Sequence, residues 1–260
     1  MRYFLMLLCA VILALPMSAG PASGKDKPVL AATPLSRADL PWWRTRHEAK
    51  LAELRQKRPN LIFLGDSITQ SWELTGPPDY MNFVPVWQRF YGDRNAVNLG
   101  FSGDATAHLL WRIQNGEVAG IAPKVAVVLI GANNLGKLRW SAEDTLAGFD
   151  AIVAALATRL PTTKVLLLGI LPSDRTDWAT ATTATVNKAL AAKYARHPAV
   201  TFLDVGHVFM RNGVLNRDLY YDTRKSPPGA PLHPSAEGQA LMAAAMEPTL
   251  STLLGDKPRR

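Results

Sequence analysis

Three side chains far apart in this 260-residue sequence have the chemistry of acyl transfer: Ser67 in Gly65-Asp66-Ser67, Asn133 in Gly131-Ala-Asn133 and His233 in Leu232-His-Pro234. A serine hydroxyl is a weak nucleophile until a base takes its proton, and imidazole does that near neutral pH. The oxyanion of a tetrahedral intermediate then needs N–H donors. Ser67 brings its own amide, Asn133 brings a carboxamide, and Gly100 in Asn98-Leu-Gly100 offers an amide with no side chain in the way. The expected set is therefore Ser67 as nucleophile, His233 as base, and Ser67, Gly100 and Asn133 as the oxyanion hole. Gly-Asp-Ser is a common tripeptide, however, and Ser67 alone would serve equally well as a helix cap.

What could bring these residues together is a series of short apolar runs. Leu61 to Leu64 is wholly apolar, as suits a strand buried on both faces of a parallel sheet, and a helix can begin just after Ser67. Asn95–Leu99, Lys124–Ile130, Lys164–Ile170 and Thr201–Asp204 read as further strands. Helices are expected over 41–57, 84–90, 106–114, 141–160, 177–196 and 235–254, the fourth opening on the capping pattern Ser141-Ala-Glu-Asp144 and stopping before Pro161. Ser36-Arg-Ala-Asp39 reads as a capping box for the first. Alternation of strand and helix predicts an α/β domain: a parallel sheet of about five strands between two helical layers. Gly65, Gly100 and Gly131 each close a strand, so the residues after them fall on one carboxyl edge.

These blocks resemble the SGNH, or GDSL, hydrolases: Gly65-Asp66-Ser67, Asn98-Leu-Gly100, Gly131-Ala-Asn133 and Leu232-His233-Pro234, in that order. Two longer stretches, 97–117 and 127–134, resemble the catalytic subunits of platelet-activating-factor acetylhydrolase. The resemblance spans about Asn60 to Pro248. It implies a three-layer α/β/α, flavodoxin-like esterase with no metal or cofactor, acting on acyl esters of lipids, carbohydrates or small alcohols. Asp66 would hold the turn. His108 also matches a family position and reads as packing, and His47 reads as a face residue of the first helix.

One position departs from the pattern. The family commonly places an aspartate three residues before the histidine, and here that residue is Ala230. A backbone carbonyl near Ala230 or Pro231 could orient the ring, giving a Ser-His dyad. Asp222 or Asp218 could reach in from the irregular segment 206–232, or the site could be weak or inactive. Nearness in sequence favours the carbonyl. An acyltransferase using a glycan hydroxyl, or a binding module without catalysis, would share the fold.

Arg2, the apolar run Phe4–Leu15 and small residues up to Ala22 have the layout of a secretory signal peptide. The expected organisation is a signal at 1–22, a flexible leader at 23–34 and one hydrolase domain over 35–256. Cleavage would leave a periplasmic or extracellular protein with no membrane span. It would also leave no cysteine, since Cys9 lies inside the signal. The net charge is +8, from 29 Lys and Arg against 21 Asp and Glu, but it is dispersed and accompanied by no reading module. Nucleic acid binding is therefore not expected.

Overall fold

The computed structural model describes residues 28–259, so the expected signal peptide lies outside the described residues. β1 (Leu61–Gly65) is flanked by β2 (Ala96–Gly100) on one side and β3 (Val125–Leu129) on the other; β4 (Lys164–Leu168) and β5 (Val200–Leu203) follow. The order is β2-β1-β3-β4-β5, with every pair parallel. This is the flavodoxin-like order, whose direction of winding reverses beside β1.

Alternate residues of each strand feed two cores. Ile62, Leu64, Val128 and Leu167 meet α4 (Thr106–Arg112), α6 (Ala142–Arg159) and α7 (Asp177–Tyr194). Leu61, Phe63, Val127 and Leu166 meet α3 (Val84–Tyr91) and α8 (Ala236–Leu254). Both faces of the sheet are therefore apolar, which explains why these strands read as runs rather than alternations.

Some local expectations are corrected. α1 (Pro41–Gln56) starts on Leu40 with no side-chain cap, and Ser36 Oγ instead accepts from Ala38 N–H. Proline at the first helical position needs no such partner, because it has no N–H. The end of the expected leader packs onto the domain. Residues 30–32 form a 3-10 turn in which Ala31 is fully buried, its carbonyl accepting from Thr106 Oγ1 at 2.8 Å. Segment 206–232 also contains a hairpin, Met210–Arg211 paired with Val214–Leu215. Its Asn212-Gly213 turn takes positive φ at both residues, the geometry that Asn-Gly favours.

Candidate active site

Ser67 begins α2 (Ser67–Gln70) directly beyond β1, with Asp66 between strand and helix. Asp66 Oδ1 accepts from Ile68 N–H at 3.0 Å and so caps the helix. Burial pushes the Asp66 carboxyl up to about 6, against the opposing pull of the Ile68 amide and the charge of His233. Gly65 has no room for a side chain: a Cβ there would lie 2.1 Å from Thr69 Oγ1 and 2.3 Å from Leu129 O.

His233 Nε2 lies 2.9 Å from Ser67 Oγ, so two residues 166 positions apart form the hydrogen bond that a nucleophile and its base require. Behind the ring stands Asp222. Its Oδ1 and Oδ2 are 3.0 and 3.1 Å from His233 Nδ1. Its Oδ2 also accepts from His233 N–H at 2.6 Å and Leu232 N–H at 3.1 Å. The expected backbone carbonyl is thus corrected to a carboxylate, and the arrangement is a Ser-His-Asp triad.

Sequence distance misled because residues after Asp222 leave and return. Gly229 N–H donates to Asp222 O at 2.8 Å and closes the excursion, bringing Asp222 against the histidine. Burial alone would raise the Asp222 carboxyl. The bond and charge of His233, with Lys225 Nζ at 2.8 Å, instead hold it well below the usual carboxylate range. The Tyr221 ring stacks on the imidazole at 5.2 Å with 8° between planes, fixing its tilt. Among the described residues the ring pairs with no carboxylate but Asp222, and Asp218 O accepts from Arg224 Nη2 at 2.6 Å instead.

The oxyanion donors need one correction. Gly100 N–H already donates to Asn98 Oδ1 at 2.8 Å, and the residue packs beneath α2, where a Cβ would meet Gln70 N at 2.2 Å. Gly100 is buried structure rather than a donor facing the cleft. The chain runs on through Phe101, whose N–H donates to Gly65 O at 3.0 Å, into a turn closed by Asp104 N–H on Phe101 O. Gly103 sits in that turn at φ +76°, and its N–H donates to no group among the described residues. Asn133, in α5 (Ala132–Gly136), donates one Nδ2 hydrogen to Asp104 O at 2.9 Å and keeps the other. That bond sets Asn133 beside the Gly103 turn.

A buried ionic cluster fixes this edge, and sequence reading missed it. Arg112 bridges the ends of β1 and β2, donating to Gly65 O and Leu99 O at 3.0 Å each, and to Asp104 Oδ2 at 2.8 Å. Its Nη1 also pairs with Glu117, and its guanidinium lies 4.1 Å from the Phe101 ring centroid. Asp104 Oδ1 accepts from Trp43 Nε1 and from Arg37, each at 2.9 Å. The signal was present: Arg112 and Glu117 stand inside the family-like stretch 97–117, but their chemistry there could not be read without partners. His108 does pack, and its Nδ1 accepts from Ala105 N–H at 2.9 Å; burial draws its pKa down to about 4. His47 is buried as well, stacked on Trp43 at 5.5 Å.

The GDSL-like Lipase/Acylhydrolase family model matches residues 63–241. The alpha1 subunit of human platelet-activating factor acetylhydrolase IB is 32% identical over 202 residues, covering 76% of this chain and 82% of the subunit. Among solved structures, a GDSL-like lipase from Bacteroides thetaiotaomicron superposes with a TM-score of 0.61 at 19% identity, over 80% of this chain and 97% of its own. A carbohydrate acetylesterase family member from Sinorhizobium meliloti gives 0.55 at 16% identity, over 75% and 98%. At such identities these two attest the fold alone.

Proposed function

Because the chain belongs to the GDSL-like lipase/acylhydrolase family and is a carboxylic ester hydrolase, we propose that it removes a short acyl group, acetyl, from a carbohydrate, lipid or small alcohol outside the cytoplasm. The observation that carries this reading is the line Ser67 Oγ–His233 Nε2 and His233 Nδ1–Asp222. His233 takes the serine proton as Oγ attacks the carbonyl, and Asp222 holds the tautomer and stabilises the imidazolium that forms. The oxyanion is met by the amides of Ser67 and Gly103 and by the second Nδ2 hydrogen of Asn133. Such donors act most strongly once charge has developed. His233 then protonates the leaving alcohol, and water, activated by the same ring, releases the acyl group from Ser67.

The acetyl assignment is supported by the name of the human relative, an acetylhydrolase. Export is supported by the apolar run Phe4–Leu15 and its flanks. The test is an aryl ester series of increasing acyl length, together with mass spectrometry after organophosphate treatment. We expect the acetate to turn over fastest, one adduct on Ser67, and a loss of several orders of magnitude in Ser67→Ala. Near-normal turnover by folded Ser67→Ala would remove the nucleophile from this scheme.

A further inference from the structure

Arg175 stands between the two halves of this site. The preceding residue, Asp174, donates its N–H to Pro231 O at 3.3 Å, joining the loop to the segment that carries His233. Its own Nη2 donates to Ala132 O at 2.5 Å, on the helix that carries Asn133. The guanidinium lies flat against Gly136, where a Cβ would fall 1.9 Å from Cζ and 2.1 Å from both terminal nitrogens. Glycine at 136 therefore keeps the place that the guanidinium occupies.

What Arg175 lacks is an anion. It forms no ion pair among the described residues, and its Nε is buried with no hydrogen-bond partner. The neighbouring carboxylate, Asp174, is taken by Arg217. Asp66 and Asp222 lie close enough to feel the Arg175 charge, but each is engaged elsewhere, one as a helix cap and the other by His233 and Lys225. Burial draws the guanidinium pKa down from its ordinary value, so the cation is held at a cost. Lys137 and Arg139 follow directly after α5 and form no ion pair among the described residues; Arg139, at φ +53°, lies over the Trp178 ring at 5.2 Å. By contrast, Arg37, Arg46, Lys50, Arg217 and Lys225 are all paired.

We propose that Arg175 recognises a carboxylate or phosphate on the alcohol part of the ester. The alcohol side follows from the chemistry, because the leaving oxygen must come within reach of His233 Nε2. The alcohol therefore extends over the His233 segment, and the Arg175 loop is tied to that segment. A planar guanidinium with unpaired N–H groups suits both anions. This proposal rests on the reading of Ser67 as nucleophile.

The experiment compares acetyl esters of one acyl group on different alcohols: a methyl glucoside, a methyl glucuronoside and glycerol 3-phosphate. Wild type should prefer one anionic ester over the neutral glucoside by about 10- to 100-fold in kcat/KM, chiefly through KM, as for a charge-assisted contact. That preference should shrink as salt rises. Glucuronoside preference would identify an acidic sugar, and glycerol phosphate preference a phosphorylated alcohol. Arg175→Gln should lose at least tenfold more on the preferred anionic ester than on the glucoside, and Arg175→Lys should regain part of it. If Arg175→Gln misfolds, competitive inhibition of wild type by the free anionic alcohols, stronger than by methyl glucoside, reads the same contact. No preference in wild type, or equal losses on all esters in a folded variant, overturns the proposal. Loss of hydrolysis of every ester by wild type would instead count against the esterase reading.

Discussion

Asp222 receives donors from His233 Nδ1, the amides of Leu232 and His233, and Lys225 Nζ. An asparagine there would present an NH2 group to a ring that needs an acceptor. Asp222→Asn should therefore favour the wrong imidazole tautomer and lower kcat by up to ~10⁴-fold, with the fold checked by thermal denaturation. Survival of most activity would return the ring to a backbone acceptor. Asp66 gives a second residue-scale test. Its folded value of about 6 against an ordinary 3.8 means that the folded state binds the proton more tightly. That contribution is full below about pH 4 and lost as pH rises through about 6, a change of roughly 3 kcal/mol at most. Asp66→Asn keeps an acceptor for Ile68 N–H but carries no charge. Between pH 4 and 7 its urea-derived stability should rise relative to wild type. Parallel pH profiles for the two proteins would contradict the buried-charge account.

At the scale of elements, the excursion between Asp222 and His233 is closed by its own hydrogen bond, Gly229 N–H to Asp222 O. The triad contacts come from Asp222, Leu232 and His233, none of which lies in Thr223–Ala230. Deleting residues 223–230 would leave Asp222-Pro231-Leu232-His233, with the aspartate three positions before the histidine as the family has it. We expect the shortened enzyme to fold and to keep kcat within about one order of magnitude, since trimming a surface loop changes closure entropy little. Steady-state kinetics against an aryl acetate check this. A collapse of kcat in a folded deletion would mean that the excursion, including Lys225, is required for turnover.

For the molecule as a whole, one ionic clamp ties the chain's end to its middle. Arg94, almost fully buried, donates to both oxygens of Glu247 at 2.7 and 2.5 Å and to both of Asp256 at 2.9 and 3.0 Å. Glu247 Oε1 also accepts from Arg259 N–H at 2.8 Å. α8 packs its apolar residues against the sheet on the α3 side, so the clamp fixes where that helix stops. Arg94→Ala would leave Glu247 buried without its partner, and the expected loss is about 3–5 kcal/mol by chemical denaturation. Arg94→Met combined with Glu247→Gln should lose less, because no uncompensated charge remains. Equal losses would mean that packing, not charge pairing, sets the value.

Strand positions, their parallel arrangement and the meeting of Ser67 with His233 followed from the sequence alone. Each rests on local pattern: apolar runs of strand length, breaks after them, and ordered motifs whose spacing matches one fold. Those signals survive because burial on both faces of a sheet requires them. What only the tertiary structure decided is which groups face one another across long sequence distances. Gly100 ends β2, Gly103 stands three residues on, and the two look alike in sequence. Hydrogen bonding assigns the first to the interior, through Asn98, and leaves the second with an uncommitted N–H. Arg112 and Glu117 are ordinary charged residues until the fold buries them together. Asp222 lies eleven positions from His233, and its role depends on a loop that closes on itself before the chain returns. Sequence records the order of groups along the chain, whereas a hydrogen bond depends on their separation in space, and a closed loop makes the two independent.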